Sequence, residues 1–483
     1  MTDLPLLNRQ TAQTPPAYPV KVVQFGGGNF LRAFVDWMID ILNEETDFGG
    51  SVAVVKAAPR GFFDAPYAQL AAQDGLFHVQ LNGLVNGRLT TQTRLVSAIS
   101  QVVNPYDACD DFLALARLPD VRFIISNTTE AGIVFDPADR PEDAPPASFP
   151  AKLTLFLYER YRHFQGDEGK GCIILPCELI EHNGAQLQQC VLDFVELWGL
   201  EDGFVNWLLI SSVFCNTLVD RIVPGFPHGR ADDIRQAVGF ADQMLVEGEQ
   251  FHSWVIQGPA GIRDEFPTHQ TNLHVKFVTD LTPYRDLKVR ILNGAHTAMV
   301  PVGYLYGLRT VKETVENEVL GRFVADLLFA EILPTLSAPP AEKEQFARDV
   351  LERFRNPYLK HELSAIALNS IAKFRARLLP TLLAYAAQFG APPPRITLSL
   401  AALIRFYRGE WQGEATPVRD NADVLAFFAA AWQANKTAAE LAAAVLGNES
   451  LWGQDLTAVP HLTAHVAAAL ERVENDLGAA LSG

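Results

Sequence analysis

Along the first half of the chain, short and nearly continuous apolar runs alternate with stretches in which apolar residues recur every three or four positions. The runs Val20–Phe25, Ser51–Val55, 121–125, 172–175 and 207–214 predict strands. Between the first two, Leu31, Phe34, Val35, Met38 and Leu42 share one face at helical spacing and predict a helix. Strands that alternate with helices predict an α/β fold with a parallel sheet covered on both faces. The texture changes near residue 280. Residues 275–280 read as a last strand, Thr282-Pro283 follows, and helical periodicity then dominates, with segments rich in Ala, Leu and Glu through the 420s to 440s and at 462–477. The pattern divides the chain into a first domain of residues 1–278 and a mostly α-helical second domain of residues 279–483. The acidic, proline-rich stretch 136–150 (DPADRPEDAPPASFP) reads as an excursion within the first domain, because strand signals resume after it.

Composition narrows the function. A chain of 483 residues needs two or more cores, and 48% hydrophobic with 20% charged residues is ordinary for a globular protein. A net charge of -17 argues against a nucleic-acid partner, whose phosphates require Lys and Arg. It leaves room for a small anionic substrate held by a few local cations, since exposed charges are screened over roughly 10 Å at ~0.1 M salt. Cys109, Cys172, Cys177, Cys190 and Cys215 are odd in number and lack zinc-ligand spacing, which predicts free thiols in a reducing compartment. Residues 1–19 show no secretory signal. The apolar run 398–404 is cut by Arg405, well short of the ~20 residues of a membrane span. A soluble, cytoplasmic protein with no membrane partner is expected.

The segment Val22-Val23-Gln24-Phe25-Gly26-Gly27-Gly28-Asn29-Phe30-Leu31-Arg32 is a strand, a glycine turn and a helix start, the context of a dinucleotide-binding turn. Glycines let the backbone approach a pyrophosphate, and the helix N-terminus offers it N–H groups. Two elements of the usual pattern are missing. Leu31 stands where the third glycine would, and the second strand runs into Lys56-Ala57-Ala58-Pro59-Arg60 without an acid. A tight βα turn with no ligand is the alternative, and Lys56 or Arg60 could even accept a 2′-phosphate.

A second constellation lies in KVRILNGAH, which contains Lys288, Asn293 and His296. On a continuous α-helix of roughly 100° per residue, Asn293 lies roughly 140° and His296 roughly 80° round from Lys288, so all three fit one arc. Alcohol oxidation needs a base for the hydroxyl proton and donors for the developing alkoxide. Lysine supplies the first, Asn and His the second. An Asn-Gly turn, a solvated lysine and a core histidine are the competing reading.

These motifs together resemble the mannitol dehydrogenase family of polyol-specific long-chain dehydrogenases. KVRILNGAH has the family's Lys-x4-Asn-x2-His pattern, GGGNFLRAF its glycine turn, and Phe214-Cys215-Asn216-Thr217-Leu218-Val219-Asp220-Arg221-Ile222 its Val-Asp-Arg-Ile segment. Order and spacing agree over nearly the whole chain. The stretches SNTTEAGI, LPCELIEHNG, VDRIVPG, RFRNPYLKH and SIALNSIAKFRARLLP resemble the family's sugar-acid branch. The resemblance implies a Rossmann-like N-terminal domain, a helical C-terminal domain, NAD as cofactor and no catalytic metal. The implied activity is hydride transfer between NAD and a sugar-acid substrate, interconverting D-altronate and D-tagaturonate. Mannonate with fructuronate, or a plain polyol such as mannitol, is the alternative within the class. A non-catalytic NAD-binding redox sensor is the alternative outside it.

Carried over by residue, the resemblance makes Lys288 the general acid/base, with Asn293 and His296 holding the reacting oxygen. It puts the NAD site at Val22, Gln24, Phe25, Gly26, Gly27, Gly28, Asn29, Phe30, Leu31 and Arg32, with Glu130 near the cofactor and Asp220 near the substrate. Two departures stand out. The family's Cys-Asp-Asn segment is Cys177-Glu178-Leu179 here, so Asn293 acts alone or with a donor such as Asn183. After Arg355-Asn356-Pro357 come Lys360, His361, Asn369, Lys373, Arg375 and Arg377. A carboxylate is best held by Lys or Arg hydrogen bonds, so Lys360, His361 and Lys373 are expected to select the acid. His361-Glu362 does not continue as a His-Glu-x-x-His motif, and His461 and His465 lack an acid or thiol companion nearby.

Overall fold

The computed structural model describes residues 4–85, 87–128, 132–358, 360–435 and 437–482. The chain divides into two compact units, Met1–Gly83 with Leu89–Leu281, and Leu84–Arg88 with Thr282–Gly483.

The strands of the first unit are β1 (Val20–Phe25), β2 (Ser51–Val55), β3 (Phe77–Val85), β4 (Arg88–Val96), β5 (Ile99–Val103), β6 (Phe123–Ser126), β7 (Ile173–Pro176), β8 (Val213–Phe214), β9 (Asn216–Asp220), β10 (Val246–Glu249), β11 (Ser253–Gln257) and β12 (Val275–Val278). Six of them form one sheet in the order β5-β2-β1-β6-β7-β8, with every pairing parallel. Side chains alternate between its faces. Val22, Val52, Val54, Phe123, Ile125, Ile173 and Leu175 enter one core with the helix that follows β1, while Val23, Phe25, Ala53, Val55, Ile124 and Ile174 enter the other. This two-sided burial explains why the strands read as unbroken apolar runs. The chain runs outward from β1 to β2 and β5, then returns to β6 on the other side. The order therefore reverses between β1 and β6, the place where such sheets bind ligands at their C-terminal edge.

One expected strand is corrected. Residues 207–214 are mostly the end of a helix, Asp202–Ser211, and only Val213–Phe214 pair as β8. Phe204, Trp207 and Leu208 are buried on that helix, whereas Leu209 is 52% and Ile210 69% exposed. A continuous apolar run hides this helical period.

The second unit is mostly helical. Its centre holds two helices, Gly294–Leu305 and Pro394–Phe406, whose described residues are almost all buried; Ser399 Oγ donates to Ala298 O at 2.9 Å. The apolar run around 398–404 is thus a core helix. No described helix is long and apolar enough to cross a membrane. Glu331, buried in a π-helical segment (Leu327–Ile332), accepts the backbone N–H groups of Arg395 and Ile396 at 2.7 and 2.9 Å. A carboxylate there satisfies the orphan donors at a helix start.

Burial in the first unit has a pH consequence. His252 is pushed down to about 3 from 6.5 by burial, with Arg221 and His274 adding to the effect. Its neutral ring accepts from His274 N at 3.0 Å. The stability it contributes is present above pH 6.5 and lost as pH falls through that value towards 3. We expect His252 to account for a loss of about 2 kcal/mol between pH 7 and pH 5. Urea denaturation at both pH values should show that component reduced in His252→Gln.

Candidate active site

The glycine turn sits at the point where the sheet order reverses. Gly26 N donates to Val55 O at 3.0 Å, and Asn127 N, just past β6, donates to Phe25 O at 3.2 Å. Gly26 has φ +114°, and a Cβ there would stand 3.0 Å from Asn127 O. Gly27 N donates to the Tyr67 hydroxyl at 3.0 Å. Gly28 is ordinary in conformation at φ -69°, and a Cβ there would meet nothing within 4 Å. The last glycine of the turn therefore faces open space at the start of a helical run that continues to Glu45. Leu31, in the place of the third glycine, is buried against Gly26.

Beneath the turn the side chains are inward. Val22, Gln24 and Phe25 are wholly buried, so they support the turn from within the sheet. Gln24 Nε2 donates to Gly26 O at 3.0 Å and to Asp36 Oδ2 at 3.2 Å. Burial pushes the Asp36 carboxyl up to about 7, against the opposing pull of Gln24 and Arg32. Arg32 is also buried. It donates to Gly27 O at 3.3 Å, to Asn29 Oδ1 at 2.7 Å and to Met244 O. Asn29 is exposed and Phe30 half-buried. Glu130 lies outside the described residues.

The residues after β2 settle where its cation goes. Lys56 is completely buried and ion-paired with Asp64, whose side chain is 52% exposed. Arg60 stays exposed over the Tyr106 ring at 5.3 Å. The sequence shows no acid closing the strand, but the fold brings one from the next helix.

At the ends of β6 and β7, Glu178 is buried and accepts from Ser126 Oγ, Thr128 N and Thr128 Oγ1 at 3.0, 2.9 and 2.9 Å. Leu179 is exposed. Asn183, considered above as a substitute donor, is buried. Its Nδ2 donates to Pro176 O, Glu178 O and Thr217 O, and its Oδ1 accepts from Gly184 N and Thr217 N. That amide is committed to bracing its own unit and is corrected as a free donor. Asp220, on β9, is buried.

In the second unit, Lys288–Asn293 is a π-helical segment that runs directly into the helix Gly294–Leu305. The continuous α-helix assumed from the sequence is corrected here. In a π-helix the hydrogen bond spans five residues, so Asn293 comes about one turn above Lys288 instead of roughly 140° away. Asn293-Gly294 is helical, not a turn. Lys288 and Asn293 are half-buried, and His296 is buried.

His296 stands in an unusual setting. Its ring lies 4.4 Å from the Phe354 ring and 4.8 Å from His361, edge to face. Its Nε2 has no hydrogen-bond partner among the described residues. Burial holds its pKa well below the ordinary 6.5, and His361, Arg353, Arg377 and Lys373 push it further down. The ring is neutral, and the cations Arg353, Arg377 and Lys373 act on it. Burial also lowers His361. Lys373 Nζ donates to Ile366 O at 2.8 Å. Arg377 donates to Thr297 Oγ1 at 3.3 Å. Lys360 is apart from this group in character: it is 82% exposed and paired with Glu362 at 3.0 Å. Arg353 went unnoticed in the sequence. Its position just before the Phe354 that packs on His296 could have been found only from the contact.

Among the described residues no group of three or more His, Cys, Asp or Glu is placed to hold a metal ion. His461 and His465 are 6.4 Å apart between ring centroids.

Comparisons with known proteins agree with this architecture. Residues 20–267 match the Mannitol dehydrogenase Rossmann domain and residues 280–474 the Mannitol dehydrogenase C-terminal domain. The chain is 48% identical over 473 residues to the altronate oxidoreductase of Bacillus subtilis (strain 168), covering 98% of this chain and 96% of that one. It is 46% identical over 462 residues to the altronate oxidoreductase of Yersinia pestis bv. Antiqua (strain Nepal516), covering 95% of each. Its fold is that of a D-sorbitol dehydrogenase in substrate-free form, with a TM-score of 0.82 at 19% identity over 99% of this chain and 100% of that one. The Pseudomonas fluorescens mannitol 2-dehydrogenase, solved as a ternary complex with NAD and D-mannitol, superposes with a TM-score of 0.71 at 22% identity over 98% of each chain.

The turn geometry separates two glycines by their role in folding. Gly26→Ala should destabilise the protein by about 1–3 kcal/mol, through its positive φ and the Asn127 carbonyl. Gly28→Ala should leave stability within about 0.5 kcal/mol of the wild type. Urea denaturation of the two variants measures both.

Proposed function

The chain belongs to the mannitol dehydrogenase family, and from that premise we propose that it is an NAD-dependent oxidoreductase interconverting D-altronate and D-tagaturonate. The observation that carries the acid over a neutral polyol is the neutral, buried His296 imidazole with the cations Arg353, Arg377 and Lys373 acting on it. An uncharged polyol needs hydroxyl-binding groups and no such concentration of cations. A carboxylate is held by charge-assisted hydrogen bonds.

The residues present fit NAD. Gly28 leaves open space where a side chain would stand, and the helix that starts at Asn29 offers its first N–H groups to a pyrophosphate. Gly26, Gly27, Gly28, Asn29 and Phe30 form that approach, while Val22, Gln24, Phe25, Leu31 and Arg32 hold its shape from below. The Asp64 carboxylate would accept from ribose hydroxyls of the bound nucleotide and repel a 2′-phosphate, which favours NAD over NADP. Its partner Lys56 is buried and does not offer a phosphate its charge.

NADH supplies the hydride in the reductive direction. Lys288 gives a proton to the ketone oxygen as that oxygen gains charge, and takes it back when the alcohol is oxidised. Asn293, one π-turn along, donates its amide N–H to the same oxygen. His296, neutral at working pH, holds a substrate hydroxyl without adding a charge. His361 lies beside it, and the positive charge of Lys373 favours the acid. Lys360 contributes only a peripheral positive charge.

The test begins with purified protein and NADH, offering D-tagaturonate, D-fructuronate and D-fructose, and repeats the series with NADPH. Turnover of D-tagaturonate with NADH is expected to exceed the others. Preference for D-fructuronate or D-fructose would move the substrate and leave the chemistry in place. Lys288→Ala should lower kcat by about 10²–10⁴ while NADH still binds, as followed by its fluorescence. A sensor would show no turnover to lose. Gly28→Ala should raise the KM for NADH.

A further inference from the structure

The helix that carries Asn293 continues without a break to Thr297, four residues on. Thr297 Oγ1 donates to Asn293 O at 2.9 Å and accepts from the Arg377 guanidinium at 3.3 Å. Arg377 comes from a separate helix, Ser370–Arg377. Gly294 packs against that helix end, where even a Cβ would make ordinary contact with Arg377 O at 3.6 Å and Leu378 Cδ2 at 3.4 Å. Arg377 is half-buried and Arg353 is buried. Both arginines act electrostatically on His296, whose Nε2 is buried with no partner among the described residues.

We propose that Arg377, docked on Thr297, is the residue that makes this chain specific for a sugar acid, by receiving the carboxylate at the far end of the substrate. This rests on the reading of Lys288 and Asn293 as the reacting end. The spacing suits the substrate class. Thr297 is one helical turn beyond Asn293, about 5.4 Å along the axis. A ketone and a carboxylate separated by four carbon–carbon bonds in an extended chain span a similar length. The guanidinium is planar and presents paired donors, so it can take both carboxylate oxygens while a neighbouring hydroxyl fixes its plane. Arg353, which is buried, adds a second positive charge that acts on the same imidazole. His296 Nε2 then finds its partner in a hydroxyl of the substrate between the two ends.

The experiment compares D-tagaturonate with D-tagatose, which carries a hydroxymethyl group in place of the carboxylate. Steady-state kinetics with NADH are read for the wild type, Arg377→Gln and Arg377→Lys. In Arg377→Gln the preference for the acid should fall by roughly 10- to 100-fold, expressed as a higher KM for D-tagaturonate with kcat little changed. Arg377→Lys should retain part of the preference, since it keeps the charge and loses the paired geometry. Thr297→Val, which removes the dock, should shift the preference in the same direction by a smaller factor. It serves as the second variant where Arg377→Gln lowers the melting temperature. A wild type that prefers the acid and an Arg377→Gln that keeps the preference would overturn the role of Arg377 alone. Equal losses on both substrates would do the same, by showing a structural effect. A wild type indifferent to the carboxylate would overturn both this assignment and the substrate reading beneath it.

Discussion

A helix enclosed on every side has no solvent face on which to carry polar groups, and Gly294–Leu305 is such a helix. Every polar atom on it must be answered by another part of the fold or by a ligand. Thr297 is answered by the carbonyl one turn back and by Arg377. His296 Nε2 is not answered by any described residue. The packing of the second unit follows from this enclosed helix. Ser399 ties the second core helix to Ala298, and Phe354 packs against the imidazole.

The π-helical register changes what the Lys-x4-Asn spacing means. A regular α-helix would set the two side chains roughly 140° apart, at the two edges of one arc. One inserted residue per turn puts them nearly in line. A second π-helical segment, Arg32–Asp36, occurs where the first unit leaves its glycine turn. There the wider turn brings Asp36 back towards Gln24 and the underside of the turn. A third, Leu327–Ile332, carries Glu331 to the start of the other core helix, so the same departure from α-helical geometry serves packing as well as candidate functional groups.

Much of this was legible in advance. Two-sided burial wrote β1, β2 and β6 into the sequence as plain apolar runs, and the glycines between β1 and its helix marked the reversal point. The Lys288–Asn293–His296 set stood out as a candidate from residue type and spacing, and the family resemblance gave it roles. Its angular relation was not, since a hydrogen bond that skips one residue leaves no mark in composition. The helix ending at Ser211 passed for a strand because Leu209 and Ile210 are apolar yet exposed. Arg353 and the acid paired with Lys56 were missed for a different reason. Each reaches its place through tertiary packing from a distant or separate element, and no local pattern records that. Asn183 shows the reverse failure: a suitable side chain at a suitable position, with all its hydrogen-bonding capacity already used by the backbone around it.

The ion pair between Lys56 and Asp64 has a bearing on how this protein could change over time. The ammonium is sealed inside and the carboxylate stands at the surface, so the two positions are not free to vary one at a time. If Asp64 selects the nucleotide as proposed, replacing it to welcome a different one would strand a positive charge in an apolar interior. Replacing Lys56 first would release the carboxylate from the contact that orients it. A lineage moving towards another cofactor would have to alter both together, or first weaken the core beneath them. The interior of the fold thereby narrows the routes open to its surface.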